Sequence, residues 1–598
     1  MRRVCAHLLA AGLLLWLVAV GLAAALPVDP PPAPIPRNAT FRVAAVQIQP
    51  VGREDWRNAT RVLQANLDAF RGALAEACEG GARVVVFPEA GLGWIFAEAF
   101  NNTKAGMSAY CDEMTWADYA RVPTTPAPCS ATDPPQSRMP ALSAPHPCTE
   151  GSTRVGWMQL SALSCMAQQQ GVLLVANMCL RVGPAGPAAL SEASTADPAC
   201  ARAGQYNTNV VFNETGHLIA LYHKYHLFGG GAVFDRPHRP TPVVVESAAL
   251  GVRFGTFVCF DLEFAQPATA LEEQGVRHIL FTSWWVDAPP FHTALQFQQA
   301  FSRLHCAVVV AANTASPSGA GGGVFACGRV LASHFDPFEP PGRPHRVILA
   351  DVPYDPPVRH EELSRQARCI GGGDRSAPAG IADVPAAGRP VVAGGEEHPH
   401  ATALPPSPIA PPHTLTRCNL QFGFVGDCAV FALPAASPAA PYVLAVAAGN
   451  VQCRLRFTVA GPPAADPPSP PQVLALVAIK DTFTFPNTPD PLQVESCALV
   501  TCGSGSGSGG VSGRVDCQPA WLSTAWFADL RLDATGLSRG QALPLIAASR
   551  AVLLQPEWFS VQVRACEADG PRSMAMSLQT TAAPPLPLWS VCVYVVLG

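Results

Sequence analysis

The chain has 598 residues, of which 49% are hydrophobic and only 14% are charged. These values allow several domains with sizeable cores and exclude an intrinsically disordered protein. The 39 Lys and Arg residues against 44 Asp and Glu residues leave a net charge of −5, which argues against a nucleic-acid-binding protein, because such binding depends on clustered basic charge.

The N-terminus has the features of a secretory signal peptide. Two arginines precede an apolar core at residues 8–22, and three alanines at 23–25 are the small residues that precede cleavage. We therefore predict a signal peptide over residues 1–25 and an extracellular protein, with an uncleaved membrane anchor as the alternative. Four Asn-x-Thr sequons agree with secretion and predict N-glycosylation at Asn38, Asn58, Asn101 and Asn213.

From residue 41 to about residue 326, apolar runs typical of β-strands alternate with helical patterns. The runs are residues 41–48, 83–87, 172–177, 207–212, 252–259, 278–282 and 307–312. Between them, Leu63, Leu67 and Phe70 recur at helical spacing, and residues 294–304 form a second amphipathic pattern. This alternation predicts an α/β domain with buried sheets.

The remaining regions differ in composition from this domain. Residues 123–148 are rich in proline and contain two cysteines, which indicates a surface insertion held by disulfides. Proline, glycine and alanine dominate residues 371–414, which we predict to be a linker or a long loop. Residues 415–570 alternate β-like runs with turn residues and indicate a smaller, mostly β domain. At residues 571–598 a polar segment precedes a short apolar tail, as in a GPI-attachment signal, with an ordinary chain end as the alternative.

Three polar residues, Glu89, Lys224 and Cys259, come at the ends of predicted strands. They stand in the segments Phe-Pro-Glu (87–89), Tyr-His-Lys-Tyr-His-Leu-Phe (222–228) and Phe-Val-Cys-Phe-Asp (257–261). Strand ends in α/β domains converge on a cleft, where these three groups would form an acyl-transfer site. The carboxylate would take the thiol proton, the sulfur would attack a carbonyl, and the ammonium would stabilise the oxyanion and lower the thiol pKa. Each residue alone is also compatible with a structural role.

In this order and spacing, the three segments resemble the catalytic motifs of the nitrilase (carbon–nitrogen hydrolase) superfamily, and most closely those of its biotinidase/vanin branch. The segment Thr-Ser-Trp-Trp at 282–285 and two segments of the later β-rich region, at 441–449 and 494–502, are also similar to that branch. The resemblance implies a nitrilase-like α-β-β-α sandwich over residues 41–355, followed by a vanin-type β domain at 415–570.

The resemblance also implies the roles of individual residues. Glu89 would be the general base, Lys224 the oxyanion stabiliser and Cys259 the nucleophile. A further oxyanion donor would be the backbone N–H of Phe260, and the substrate-pocket candidates are Trp284 and Trp285. No metal or organic cofactor is implied. The expected substrate is a small linear amide, namely pantetheine, which would give pantothenate and cysteamine, with biocytin or another biotin amide as the alternative.

One position departs from the family pattern. Many family members carry a second glutamate several residues after the lysine, and this chain has Gly231 there. Losing a group that positions the reactants would slow catalysis. A non-catalytic glycoprotein that binds a small ligand is therefore a second class of hypothesis, because a fold can outlast its chemistry.

The twenty cysteines can be sorted with these expectations. Cys5 would leave with the signal peptide, Cys592 lies in the C-terminal tail, and Cys259 should be a free thiol. The other seventeen should largely pair in an oxidising compartment. Because seventeen is odd, at least one more thiol stays free, and Cys165 and Cys306, in apolar surroundings, are the candidates.

Overall fold

The computed structural model describes most of the predicted first domain and the strands of the second. The described residues are 39–96, 103–123, 144–151, 154, 156–183, 204–287, 292–315, 321–335, 345–356, 410–419, 425–432, 441–459, 473–484, 488–502, 514–516, 527–537, 541–547, 559–565, 572–578 and 590–597. The predicted signal peptide, two sequons (Asn38 and Asn101) and the linker up to residue 409 lie outside them. Among the described helices, none has the length and apolar character that crossing a membrane requires.

The first domain consists of two mixed β-sheets and a set of helices. Its strands are β1 (Thr40–Ile48), β2 (Val84–Val86), β3 (Cys111–Met114), β4 (Leu173–Val182), β5 (Gly204–Phe212), β6 (Leu218–His223), β7 (Val243–Ser247), β8 (Val252–Val258), β9 (His278–Thr282), β10 (Val308–Ala312), β11 (Gly322–Ala326), β12 (Arg329–His334) and β13 (His345–Pro353). Its helices are α1 (Ala59–Glu79), α2 (Lys104–Ser108), α3 (Trp116–Ala120), α4 (Pro147–Glu150), α5 (Met158–Gln170), α6 (Ala268–Glu273) and α7 (Ala294–His305).

The first sheet has the strand order β13-β1-β2-β4-β5-β6, with β3 also paired to β4. Strands β1, β2 and β4 run parallel to one another, and the apolar run of β2 is fully buried on both faces, as in a sheet covered on both sides. Successive residues of β1 point to opposite faces. Val43 packs toward the second sheet, and Ala44 packs toward α1 and α5.

The second sheet has the order β12-β11-β10-β9-β8-β7, with β8, β9 and β10 parallel. Its inner face contacts the first sheet, since Asn209 of β5 donates a hydrogen bond to Thr256 of β8 at 2.8 Å. Its outer face packs on α7, where the rings of Phe257 and Phe301 lie 5.6 Å apart. The layers are therefore helix, sheet, sheet, helix, which confirms the predicted α-β-β-α sandwich.

The second domain is built from two further sheets. Its strands are β14 (His413–Asn419), β15 (Val425–Ala432), β16 (Tyr442–Ala448), β17 (Val451–Val459), β18 (Val473–Phe483), β19 (Leu492–Cys502), β20 (Arg514–Asp516), β21 (Phe527–Leu537), β22 (Gln541–Ala547), β23 (Phe559–Ala565), β24 (Arg572–Leu578) and β25 (Ser590–Leu597). The sheet orders are β20-β14-β15-β18-β19-β25-β22 and β16-β17-β21-β24-β23. The candidate GPI tail thus contains β24 and β25, whose pairing with other strands its removal would break. GPI attachment stays a prediction.

The structure corrects part of the cysteine prediction. Within the described residues the disulfides with both partners placed are Cys111–Cys179, Cys148–Cys165, Cys306–Cys327, Cys418–Cys428 and Cys453–Cys497. Cys165 and Cys306, the two candidates for a further free thiol, are both bonded, because an apolar sequence context does not distinguish a buried thiol from a buried disulfide. The free thiols of the described part are Cys78 and Cys259, so the prediction for Cys259 is confirmed.

Candidate active site

Glu89 follows β2 at the end of the fully buried run that the sequence indicated. The chain leaves the sheet after Phe87, whose ring stacks on Phe70 of α1 at 4.0 Å. It then turns at Ala90, which has a φ of 57° and donates its N–H to the side chain of Asn177. The turn directs the carboxylate of Glu89 into the space between the sheets, where the residue is 4% exposed.

Lys224 is the first residue after β6. Its backbone N–H donates to the carbonyl of Asn207 on the neighbouring strand β5 at 2.9 Å, which fixes the point at which the chain leaves the sheet. Its ammonium group is buried and donates to Oε1 of Glu89 at 2.8 Å. Burial alone would lower the pKa of Lys224, but the interactions with Glu89, Cys259 and Asp261 together outweigh burial and raise it, so the lysine is cationic.

Cys259 directly follows β8 and begins a 3₁₀ turn, Cys259–Glu263. Its φ is 47°, a left-handed conformation that is uncommon for residues other than glycine and marks strained positions at functional sites. The charges of both Glu89 and Lys224 act on the pKa of the thiol, so the sulfur lies close to both groups. The structure thus brings Glu89, Lys224 and Cys259 together from the ends of three strands.

Lys224 lowers the pKa of the thiol, as expected, but other effects outweigh it. Burial and then the negative charge of Glu89 raise the pKa of Cys259, and the opposing effects of Lys224 and of the Trp284 N–H are smaller. The resting site therefore holds a protonated thiol next to a carboxylate. Such a pair requires proton transfer to Glu89 at the moment of attack instead of a preformed thiolate.

A layer of asparagine side chains supports Glu89, and sequence reasoning gave these residues no role. Asn207 donates from Nδ2 to Oε1 of Glu89 at 2.7 Å. Asn177 donates to Oδ1 of Asn207 at 2.6 Å, which orients the amide so that its NH₂ group faces the carboxylate. The same Asn177 amide donates to Asn209, which accepts from Thr282 and so ties the layer to the second sheet. The signal in the sequence is two asparagines at alternate positions of β5, just before its apolar end.

Asp261 is a second residue whose importance only the structure reveals. Its carboxylate accepts hydrogen bonds from the backbone N–H of Val258 at 3.1 Å, the hydroxyl of Tyr222 at 2.8 Å and the backbone N–H of His226 at 2.9 Å. It therefore ties the turn that presents Cys259 to the loop after Lys224. Asp261 is fully buried, and burial raises its pKa.

The predicted pocket residues have different surroundings. Trp284 is half-buried, and its backbone N–H donates to Oε2 of Glu89 at 3.1 Å. Trp285 is only 1% exposed, and its indole N–H donates to the carbonyl of His292, on whose ring it stacks. Trp285 therefore packs in the core, and its role in a substrate pocket stays a prediction. Phe260 lies directly after the nucleophile, at the start of the 3₁₀ turn, where an oxyanion donor would be required.

Gly231, at the position where many family members have a second glutamate, lies outside the buried group of residues around Glu89. Gly231 is in the 3₁₀ turn Gly230–Ala232 and is exposed, whereas every group bound to Glu89 is buried or half-buried.

His223, the residue before Lys224, is packed among aromatic rings. Its ring stacks between Tyr119 and Tyr206, and burial lowers its pKa to about 3. Among the described residues, no group of three or more His, Cys, Asp or Glu side chains could hold a metal ion.

The predicted glycosylation sites that can be described differ in exposure. Asn58 is exposed and caps α1, where its side chain accepts the N–H of Arg61. Asn213 is half-buried in a turn in which its side-chain oxygen accepts three hydrogen bonds. Glycosylation at the four sequons stays a prediction.

Comparison with known proteins places the first domain in a family. Residues 42–333 match the model of the carbon–nitrogen hydrolase family. A biotinidase of Takifugu rubripes is 33% identical over 312 residues, which cover 52% of this chain and 55% of that protein. A pantetheinase of Mus musculus is 32% identical over 305 residues, which cover 50% of this chain and 52% of that protein. The chain thus spans about half the length of these relatives.

Among solved structures, an amidase from Nesterenkonia sp. is 20% identical with a TM-score of 0.33, covering 56% of this chain and 98% of that one. The family model, the two relatives and the placement of the motif residues at adjacent strand ends agree with one another. Residues 42–333 therefore match the carbon–nitrogen hydrolase family, and the chain is similar in sequence to biotinidases and pantetheinases.

Proposed function

We propose that the protein is a hydrolase of carbon–nitrogen bonds other than peptide bonds, which cleaves a linear amide through a thioester on Cys259. The observation that carries this proposal is a buried free thiol beside a carboxylate that itself binds an ammonium group. Its three residues are those that the family motifs assign to base, oxyanion stabiliser and nucleophile. The two relatives compared above support the same class of reaction.

In the first half of the reaction, the thiol proton of Cys259 moves to the Glu89 carboxylate as the sulfur attacks the amide carbonyl carbon. The negative charge that develops on the carbonyl oxygen is stabilised by the ammonium of Lys224 and by the backbone N–H of Phe260. The tetrahedral intermediate then collapses. The carbon–nitrogen bond breaks, the amine takes the proton from Glu89 and leaves, and the acyl group remains as a thioester.

In the second half, Glu89 removes a proton from a water molecule, and the oxygen attacks the thioester carbonyl. The carbon–sulfur bond breaks, and the sulfur of Cys259 takes back the proton from Glu89. The sum is amide plus water giving carboxylic acid plus amine. Lys224 keeps its proton throughout, as its raised pKa requires.

For the substrate, we propose pantetheine, with release of cysteamine and formation of pantothenate, and biocytin as the alternative. The relatives include both biotinidases and pantetheinases at similar identity, so the two amides belong in one experiment. Purified protein is incubated with each amide, and cysteamine, pantothenate, lysine and biotin are measured. We expect turnover of pantetheine to exceed that of biocytin by at least tenfold, and the reverse ratio would make the protein a biotinidase.

The Cys259→Ala variant distinguishes the enzyme from a ligand-binding glycoprotein. We expect the variant to lose more than a thousandfold of the rate, because no other described thiol is near Glu89. Equal product from wild type and variant would contradict the catalytic assignment of Cys259.

The Gly231→Glu variant tests whether the glutamate that many family members carry at this position matters for the rate. Because Gly231 is exposed and Asn207 already binds Glu89, we expect this variant to change the rate by less than twofold.

We also propose that the protein is extracellular, either secreted or attached to the cell surface through GPI. The signal-peptide features and the several disulfides support this location. Expression in cultured cells tests it. We expect the protein in the medium or on the surface, with a mass that falls on treatment with a glycosidase specific for N-linked glycans. Release from cells by a GPI-specific phospholipase would identify the anchored form.

A further inference from the structure

The C-terminal domain contacts the loop that follows Lys224. Asp490, between β18 and β19, lies with Oδ2 at 2.9 Å from Nδ1 of His226 and with Oδ1 at 2.6 Å from a guanidinium nitrogen of Arg236. The family model ends at residue 333, so this carboxylate comes from a part of the chain that the model does not include.

A second contact joins the same two segments. The backbone N–H of Gly229 donates to the hydroxyl of Thr488 at 2.9 Å. Thr488 and Asp490 thus bind the lysine loop at two points, one through the backbone and one through the His226 ring. Two contacts restrict both the position and the rotation of the loop, which one contact would not.

The first domain binds this loop from the opposite side. The backbone N–H of His226 donates to Asp261 in the nucleophile turn, and the His226 ring stacks on Phe264 at a centroid distance of 3.6 Å and an angle of 4°. His226 is two residues after Lys224. The position of the lysine relative to Cys259 therefore depends on a histidine that is held by both domains.

The charge at Asp490 suits this role. The carboxylate is partly buried, which by itself would raise its pKa, but the hydrogen bonds from His226 and Arg236 outweigh burial and lower it. Asp490 is therefore an anion between two basic side chains. Arg236 also lies over the ring of Tyr225, at 4.5 Å, so the arginine braces the residue next to Lys224 as well.

We propose that Asp490 is a positioning residue and that the C-terminal domain completes the active site by holding the Lys224 loop. The role is indirect, since Asp490 acts on the ammonium through His226 and does not touch the reacting atoms. Its predicted effect on kcat rests on the proposed function. Its predicted effect on the chemical reactivity of Cys259 does not, because that reactivity depends on the geometry of the lysine loop and not on amide hydrolysis.

The experiment compares full-length Asp490→Ala with Asp481→Ala, which removes an exposed aspartate of the same domain that lies in strand β18. Two quantities are measured: the rate constant for alkylation of Cys259 by iodoacetamide, and kcat and KM for pantetheine, per titrated thiol. For Asp490→Ala we expect alkylation to slow at least threefold and kcat to fall at least fivefold, with a smaller change in KM. Asp481→Ala should match the wild type, and Asp490→Glu should recover part of the loss.

The outcomes separate positioning from a purely structural role. If Asp490→Ala lowers only the melting temperature, and both rates per titrated thiol match the wild type, Asp490 is structural and the proposal is overturned. If the wild-type protein hydrolyses no amide, the proposed function fails, but the alkylation rates still test the contact. Equal alkylation of wild type and Asp490→Ala would then overturn the positioning role independently.

Discussion

At the scale of single residues, the central feature is a thiol whose pKa is raised by burial and also by the base that must deprotonate it. Burial and the charge of Glu89 act in one direction, and Lys224 acts in the other. The arrangement keeps Cys259 protonated until an amide is bound, which limits unwanted reactions of the thiolate.

The balance of charges around Cys259 predicts opposite changes in the alkylation rate of the thiol for two variants. Glu89→Gln removes the charge that raises the thiol pKa, so alkylation by iodoacetamide at pH 8 should become at least threefold faster while amide hydrolysis is lost. Lys224→Met removes the opposing charge, so alkylation should become slower. In the wild type, the rate should still be rising at pH 9, since the thiol pKa lies above its ordinary value.

The measurement is the alkylation rate from pH 6 to pH 10, with Cys259→Ala as the control for labelling of Cys78. A slower reaction for Glu89→Gln would contradict the assigned role of the carboxylate in raising the pKa.

At the scale of elements, the turn Cys259–Glu263 and the loop after β6 form one unit because Asp261 binds both. Asp261→Asn keeps the size of the side chain but replaces one accepting oxygen with a donor, so at least one of the three donors loses its partner. We expect kcat per titrated thiol to fall at least tenfold. Tyr222→Phe is the matched control, because it removes one of the three donors and leaves the carboxylate intact.

For Tyr222→Phe we expect a loss of about 1 kcal/mol in the free energy of unfolding and a kcat within threefold of the wild type. Chemical denaturation and steady-state kinetics measure both quantities. If the two variants showed the same kcat, the carboxylate would not be what joins the turn to the loop.

The elements also show what the sequence could predict. Apolar runs predicted strands such as β9 and β10, because a strand that is covered on both faces of its sheet is apolar along its whole length. The motif residues at strand ends predicted that Glu89, Lys224 and Cys259 would meet. Asn207 and Asp490 escaped prediction, since their partners lie 118 and 264 residues away in the chain, and nothing local marks such contacts.

At the scale of the whole molecule, the core is continuous between the two domains. Buried residues of β18 and β19, such as Val477 and Val494, belong to the same hydrophobic cluster as Phe254 and Phe281 of the second sheet. The residues from Thr40 onward accordingly form one compact unit. The predicted boundary near residue 355 therefore separates segments of different architecture that share a core.

A shared core predicts a single cooperative unfolding transition. Far-UV circular dichroism reports mainly on strands of both domains, and tryptophan fluorescence includes Trp94, Trp157 and Trp285, which are buried in the first domain. With the disulfides intact, we expect the two thermal transitions to coincide within about 2 °C. Two separated transitions would show that the domains unfold independently and that the shared cluster contributes little to stability.

The asparagine layer has a consequence for the range of conditions in which the site stays assembled. Of the groups bound to Glu89, two are amides, the side chain of Asn207 and the backbone N–H of Trp284, and amides do not ionise. The third, Lys224, has a raised pKa and remains charged in acidic and neutral fluids. A second carboxylate in this place would have shared protons with Glu89 and coupled its own titration to the reaction. The amides that support Glu89 instead keep the same protonation in acidic and neutral fluids, so they donate to the base under all of these conditions.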